Sequence, residues 1–328
     1  MKHGTNKQTD TIRNHIVHAL ANGQFCSGEA LGEQLGISRA AVSKYIKALG
    51  ELGLNVFSVT GKGYRLAEPI QLLDGEAIAL HCQRFDTKQL KLLNVIDSTN
   101  QYLKDRISTL ANGDVCLAEA QTAGRGRRGR TWVSPYGASL YLSQFWQFAG
   151  GYQSIGGLSL AVGVAITQAL EKAGYQGIEL KWPNDIYARG KKLAGVLIEV
   201  EGQMGSACDC IIGVGLNMAL DLGSEQIDQP WIDLTTLNPD GFDRNRISAL
   251  LLDELTHCAD VFSQSGLASF LDTWRERNVF RDKPITLIIG NRTVQGICKG
   301  IDATGALLLQ QENGVHAYNG GEISVRAN

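Results

Sequence analysis

Arg125, Arg127, Arg128 and Arg130 stand together in one short glycine-rich run, QTAGRGRRGRTW, at Gln121–Trp132. A planar guanidinium takes phosphate or carboxylate oxygens two at a time, so the chemistry on offer is anion capture. Gly124, Gly126 and Gly129 also spell the G-x-G-x-x-G of a dinucleotide-binding turn. That turn needs a helix directly after it and an acidic residue about twenty positions on. Here Pro135 and Gly137 follow, and no acidic residue falls near position 149. The run therefore reads as a loop whose like charges repel, poorly ordered by itself and ordered by an anionic ligand. A solvated basic loop, or one that grips nucleic acid, fits the same residues.

Other polar groups gather at apparent ends of strands, where α/β proteins tend to build sites. They are Asp97-Ser98-Thr99-Asn100 at a strand-to-helix corner, Lys181-Trp182-Pro183-Asn184-Asp185, Lys192 in Lys192-Leu193-Ala194-Gly195, and Gly213-Val214-Gly215-Leu216-Asn217. Ser98 reads equally as a helix cap, Lys192 as a surface charge and Trp182 as core. His15 and His18 read as surface residues. The cysteines, Cys26, Cys82, Cys116, Cys208, Cys210, Cys258 and Cys298, are odd in number, scattered and without a C-x-x-C pair. That pattern predicts free thiols in a reducing cytoplasm and no zinc site, with Cys208 and Cys210 as core thiols on one strand face.

These groups need a frame. A chain of 328 residues, 44% apolar and 20% charged, has the size of two or three soluble domains with ample core. The net charge of −2 announces no polyanionic partner, so the basic patches are local. The polar start and the lack of any apolar run near ~20 residues argue against a signal peptide or a membrane span.

The sequence divides into three parts, 1–68, 69–275 and 276–328: a winged helix-turn-helix, a central α+β domain with a mixed sheet, and a small C-terminal barrel of SH3-like size. Together they make a multidomain α/β protein. In the first part Ile12, Ile16 and Leu20 repeat at helical spacing, and Asn22-Gly23 ends that helix. A short helix after Ser27, a turn at Gly36-Ile37 and a helix capped by Ser38 make a helix-turn-helix. Its inner side is Val42, Tyr45, Ile46 and Leu49. Ser38, Arg39, Ala40, Ser43, Lys44 and Lys47 are left for a major groove. Val56–Val59 and Tyr64–Leu66 flank a hairpin tip whose Lys62, with Arg65 beside it, reads as a phosphate-touching wing. An ordinary helical pair with a solvated face fits the helices alone. Glu68-Pro69 reads as a linker.

In the second part strands at 92–96, 115–120, 140–146, 178–182, 193–200 and 210–215 alternate with helices at 98–107, 158–173 and 246–262. Those helices are expected on one sheet face. In the third, short strands at 285–289, 294–301, 306–309 and 315–318 are separated by glycine turns, the last at Gly320-Gly321.

The five motifs, in this order and between these flanking domains, resemble the bifunctional biotin–protein ligases and biotin operon repressors of bacteria. The resemblance covers nearly the whole chain, though residues 1–12 and 76–90 carry none of it. It implies two steps. Biotin's carboxylate attacks the α-phosphate of ATP to give biotinyl-5′-adenylate and pyrophosphate, and a lysine of the biotin carboxyl carrier protein then attacks the mixed anhydride. On that resemblance Ser98, Thr99, Asn100, Gln121, Arg125, Gly126, Arg127 and Lys192 bind biotin. Arg125, Arg127, Arg130, Asn184, Asn217 and Trp231 meet ATP or the adenylate, Trp231 beside the base in a closing loop at Ala219–Trp231 that contains Gly223 and Pro230. Lys192, Arg127 and Asp185 carry the chemistry, Gly213 and Gly215 admit close approach, and Mg²⁺ enters with ATP without a dedicated protein site. The resemblance also implies operator DNA, the carrier protein and a ligand-induced homodimer as partners, in the cytoplasm. The competing expectations are a lipoate–protein ligase, a transcription factor that only senses a small molecule, and a nucleic-acid-processing enzyme.

Overall fold

The structure, a computed structural model, describes residues 7–202, 206–221, 227–320 and 323–327. The chain begins with three helices, α1 (Lys7–Leu20), α2 (Gly28–Leu35) and α3 (Arg39–Glu51), and the hairpin β1 (Val56–Val59) and β2 (Gly63–Leu66). The Ser27 hydroxyl accepts from the amides of Glu29 and Ala30, and the Ser38 hydroxyl accepts from the Ala41 amide at 3.2 Å. Each satisfies donors that a helix start leaves open. Gly36 turns α2 into α3 with φ of 65°. Ile16, Val17, Leu20, Leu31, Val42, Ile46, Leu49 and Leu66 make the small core these elements share.

Beyond Pro69 the chain is strapped down. The Ile70 amide donates to Ala21 O, and Gln71 Oε1 accepts from the Arg244 amide. The Leu73 amide donates to Glu119 and the Asp74 amide to Asn245. Glu119 and Arg244 form a buried ion pair at 2.8 Å beneath the strap. Tyr136 adds a second tie. Its ring lies in the core of the helix-turn-helix, its amide donates to Leu52 O, and its hydroxyl donates to Asn94 Oδ1 at 2.9 Å.

The middle of the chain runs α4 (Gly75–His81), β3 (Leu90–Ile96), α5 (Thr99–Lys104), β4 (Val115–Gln121), β5 (Ser139–Phe148), α6 (Leu158–Lys172), β6 (Ile178–Lys181), β7 (Asp185–Ala188), β8 (Lys191–Gly202), β9 (Cys208–Asn217), α7 (Leu234–Leu237), α8 (Arg244–Ser265) and α9 (Leu271–Glu276). Among the described residues the strands form a mixed sheet of order β3-β4-β5-β9-β8-β7-β6, with β3 and β4 parallel and the other pairs antiparallel. Side chains alternate across it, as strand geometry demands. Leu117, Leu142 and Ile212 face the core shared with α6 and α8. Cys116, Phe145 and Ile211 face the other way, onto Leu103 of α5. The expectation of helices on one face thus holds for α6 and α8 and fails for α5, whose short apolar stripe suffices for the opposite face.

The chain ends in β10 (Pro284–Ile289), β11 (Arg292–Ile301), β12 (Leu307–Gln311), β13 (Gly314–Tyr318) and β14 (Ile323–Ala327). They form an antiparallel sheet of order β13-β12-β11-β10-β14. No closed barrel is found among the described residues, and β14, absent from the sequence reading, pairs with β10 along one edge. Part of the turn before it, Gly321, lies outside the described residues. Trp182 is buried as expected, and its indole N–H donates to Gly305 O, tying the C-terminal sheet to the central one. Among the described residues no helix is long and apolar enough to cross a membrane, and the cysteines are free thiols.

Candidate active site and nucleic-acid interface

A cavity of about 820 Å³ opens on the α5 side of the sheet, between the arginine loop, the C-terminal ends of β6 and β9, and the C-terminal sheet. That volume suits a drug-sized or cofactor-sized ligand. One end is neutral. Ser98 caps α5, which leaves Thr99 and Asn100 buried at the corner. Gln121 Oε1 accepts from the Thr99 amide at 2.9 Å and from its hydroxyl at 3.2 Å. The Gln121 amide N–H donates to Ser134 Oγ at 3.1 Å. Ser143, from the middle of β5, lies 2.7 Å from Thr99 Oγ1 and 2.5 Å from Asn100 Oδ1. Buried polar groups linked this completely hold a fixed pattern of donors and acceptors.

The other end is charged. Lys192 Nζ lies 2.7 Å from Asp185 Oδ1, with the two side chains 13% and 17% exposed, so Lys192 is a wall residue and not a surface charge. Arg127 donates to Asn184 Oδ1 at 2.9 Å. Burial pulls its guanidinium below its ordinary pKa, opposed by the negative charge of Asp185. Burial also lowers Lys181, whose ammonium donates to Tyr187 Oη at 2.8 Å. Repulsion within the arginine loop is relieved by divergence. Arg125 pairs with Glu199 of β8 and Arg127 with Asn184, while Arg128, at φ of 59°, donates to Ser324 of β14. Arg130 and Gly126 line the cavity as well.

The glycines of β9 act differently from the expectation. A Cβ on Gly213 would stand 2.3 Å from Asn100 Oδ1, and one on Gly215 would stand 2.4 Å from the Trp132 indole. They admit protein side chains, with Trp132 as the aromatic floor and Lys192 Nζ 5.2 Å from its ring centroid. Asn217 is a strut. Its amide donates to Ile232 O at 3.1 Å, spanning β9 and the segment after Pro230. Trp231 is placed differently again. Its backbone bridges to Lys192, and Ile227, Asp228, Gln229 and Pro230 line the cavity in its stead. Residues 222–226, with Gly223 of the expected closing loop, lie outside the described residues.

Trp132, Ser134, Ser143, Lys181 and Glu199 were absent from the predicted site. Trp132 closes the arginine run and Lys181 opens its own motif, so both were legible. Glu199 gave one signal, an acid inside the apolar strand LAGVLIEV. Ser143 gave none, because a serine at one position of an apolar strand is commonplace.

At the other end of the molecule, Ser38 caps α3 and Arg39, Ala40, Ser43, Lys44 and Lys47 are exposed along it, with Lys62 exposed at the hairpin tip. Arg65 lies between two exposed phenylalanines, 5.3 Å from the Phe25 centroid and 5.4 Å from that of Phe57. An exposed basic helix face beside a basic hairpin has the shape and charge of a major-groove reader.

A helix-turn-helix joined to a mixed sheet, with a cavity neutral at one end and cationic at the other, defines a DNA-binding type of α/β enzyme. The chain belongs to the biotin protein ligases, among those that carry an N-terminal helix-turn-helix. It matches the biotin/lipoate A/B protein ligase family over residues 92–217, the biotin protein ligase C-terminal domain over 282–326 and an HTH domain over 12–65. It is 47% identical to the bifunctional ligase/repressor BirA of Escherichia coli K12, over 97% of this chain and 98% of that one. Against the bifunctional ligase/repressor BirA of Bacillus subtilis it is 28% identical, over 96% and 99%. The biotin protein ligase of Aquifex aeolicus in complex with biotin and ATP superposes with a TM-score of 0.64 at 27% identity, over 73% of this chain and 99% of that one.

Proposed function

We propose that this protein is an ATP-dependent biotin–protein ligase that also represses biotin biosynthesis genes, with biotinyl-5′-adenylate as both intermediate and corepressor. One observation carries the assignment of the site: a single cavity joins a neutral hydrogen-bonding corner to a cationic wall. Biotin's uncharged ureido ring suits the corner of Ser98, Thr99, Asn100 and Gln121, whose groups present both donors and acceptors. Its carboxylate then points toward Arg127 and Lys192. In the first step a carboxylate oxygen attacks the α-phosphorus of ATP, and the bond to the β-phosphate breaks to release pyrophosphate. Negative charge concentrates there, and preorganised cations held out of water stabilise it most. Arg127, Arg130 and Lys192 supply that charge, with Arg125 beside them. In the second step a lysine amine of the carrier protein attacks the anhydride carbon and AMP leaves. Asp185, already held by Lys192, is the group placed to take the amine's proton.

Mg²⁺ would be carried in on the ATP phosphates and supply further charge neutralisation there. Asn184 Oδ1 and the Asp185 carboxylate are the hard oxygen donors in the wall that suit it, and no cluster of three His, Cys, Asp or Glu occurs among the described residues. Trp132 is the favoured aromatic neighbour of the ligand, with Trp231 serving from its backbone and Asn217 as its brace.

We assign the domains as 1–68, 69–275 and 276–328, and read the C-terminal sheet as an SH3-like barrel on its size and short antiparallel strands. Ser38, Arg39, Ala40, Ser43, Lys44, Lys47 and Lys62 face operator DNA. Ordering of the arginine loop by the adenylate pairs two subunits, which sets two readers on a two-fold operator. Cysteines without disulfides and the proposed DNA and carrier-protein partners support a reading of the protein as cytoplasmic. The test is mass spectrometry of a biotin carboxyl carrier domain after incubation with the protein, ATP and biotin. A gain of one biotin on one lysine is expected, and an unmodified carrier overturns the reading.

A further inference from the structure

Glu199 stands outside the cavity wall, yet two parts of the site converge on it. Its Oε2 accepts from Arg125 Nη2 and from Asn100 Nδ2, each at 2.8 Å. Arg125 belongs to the arginine loop and Asn100 to the neutral corner, so one carboxylate oxygen joins the two ends of the site. We infer that Glu199 is a positioning residue that fixes both the root of the arginine loop and the hydrogen-bond polarity of the neutral corner. The second half of this inference rests on the ligase reading above.

The polarity follows from the chemistry of an amide. A carboxylate accepts and never donates, so Glu199 compels Asn100 to present its NH₂ group toward β8. Asn100 Oδ1 then faces Ser143 and, having no hydrogen, takes Ser143's across the 2.5 Å contact. Thr99 spends its own hydroxyl hydrogen on Gln121 Oε1, so Asn100 decides whether the single hydrogen of Ser143 goes to it or to Thr99 Oγ1. Without Glu199 the Asn100 amide keeps only Leu197 O, at 3.4 Å. A buried amide at 4% exposure with so weak a partner is free to turn over, and the Ser143 hydrogen then turns from Asn100 to Thr99 Oγ1. The Arg125 half works by charge. Arg125 and Glu199 are partly exposed, so their attraction is screened, but the pair gives the first arginine of the loop an anchor of its own on β8, as Asn184 does for Arg127.

The experiment compares Glu199→Ala, Glu199→Gln and Arg125→Ala with the parent protein in two independent arms. Hydrogen exchange of residues 122–130, without biotin or ATP, reads the loop. Glu199→Ala and Arg125→Ala should each speed it, and the double variant should exchange no faster than either. Biotin- and ATP-dependent pyrophosphate exchange reads the corner. Glu199→Ala should raise KM for biotin about tenfold, the equivalent of one charge-assisted hydrogen bond, and lower kcat less. Glu199→Gln, which keeps an acceptor oxygen, should recover part of that KM and little of the loop protection. Parental loop exchange in Glu199→Ala, or an unchanged KM beside a lowered melting temperature, overturns the inference. If the parent protein itself fails to exchange pyrophosphate, the ligase reading falls and the loop arm still decides the clamp.

Discussion

Lys192 Nζ and Asp185 Oδ1 face each other at 2.7 Å across the register between β7 and β8, with the indole of Trp132 against the lysine. Neighbouring strands thus present a cation and its counter-ion to one point of the cavity wall.

From that pairing, Lys192→Ala should lower adenylate formation by a factor of about 10²–10³, the usual consequence of removing one transition-state donor. The single variant leaves Asp185 without its partner, so Lys192→Ala with Asp185→Asn is the companion that separates chemistry from stability. Pyrophosphate exchange at the parental rate in either variant removes Lys192 from the mechanism.

Gly215→Ala should displace Trp132, because the added methyl carbon would meet the indole at 2.4 Å. A loss of stability of about 1–3 kcal/mol is expected, as for other overpacked sites. Adding Trp132→Ala should restore most of the melting temperature and leave ligase activity low. If Gly215→Ala alone melts like the parent, the floor of the cavity is not as described.

Glu119→Gln should destabilise the fold by about 3–5 kcal/mol, since Arg244 is left as a buried charge without a counter-ion. The same change loosens the Leu73 end of the strap. Urea unfolding measures the first effect. For the second, operator affinity under native conditions should fall although no DNA-facing residue is altered.

Lys62→Ala should weaken DNA binding about equally for operator and non-operator sequences and flatten the logarithmic salt slope by about 0.9. Arg65→Ala provides a contrast, because Arg65 also covers Phe25 and Phe57. Binding titrations across salt concentrations decide it, and a loss confined to the operator would show that the hairpin reads bases.

Much of this was legible before any fold was known. The Ser38 cap, the turn at Gly36 and the spacing of Val42, Ile46 and Leu49 define the reader locally, because capping and helical periodicity depend on neighbours in sequence. The Ser98 corner and the arginine loop were likewise visible in residue types alone. Strand β7 was missed because four residues after a proline turn carry little periodicity, and β14 because its strand character comes from its partner, β10.

By itself, then, the sequence determined the reader at the start of the chain, the longer strands and helices that follow it, the basic and neutral motifs and the class of anion chemistry they serve. Each depends on side-chain type or on contacts a few residues apart. Tertiary structure decided which partner each arginine takes, that Trp132 and not Trp231 floors the cavity, that Gly213 and Gly215 make room for protein side chains, and that Glu199 joins loop to corner. Arg125 and Glu199 are 74 residues apart, and no local propensity encodes a meeting at that range. It exists only because β4, β5, β9 and β8 stack side by side in register, which brings the loop after β4, with Arg125, and the start of α5, with Asn100, to Glu199 of β8.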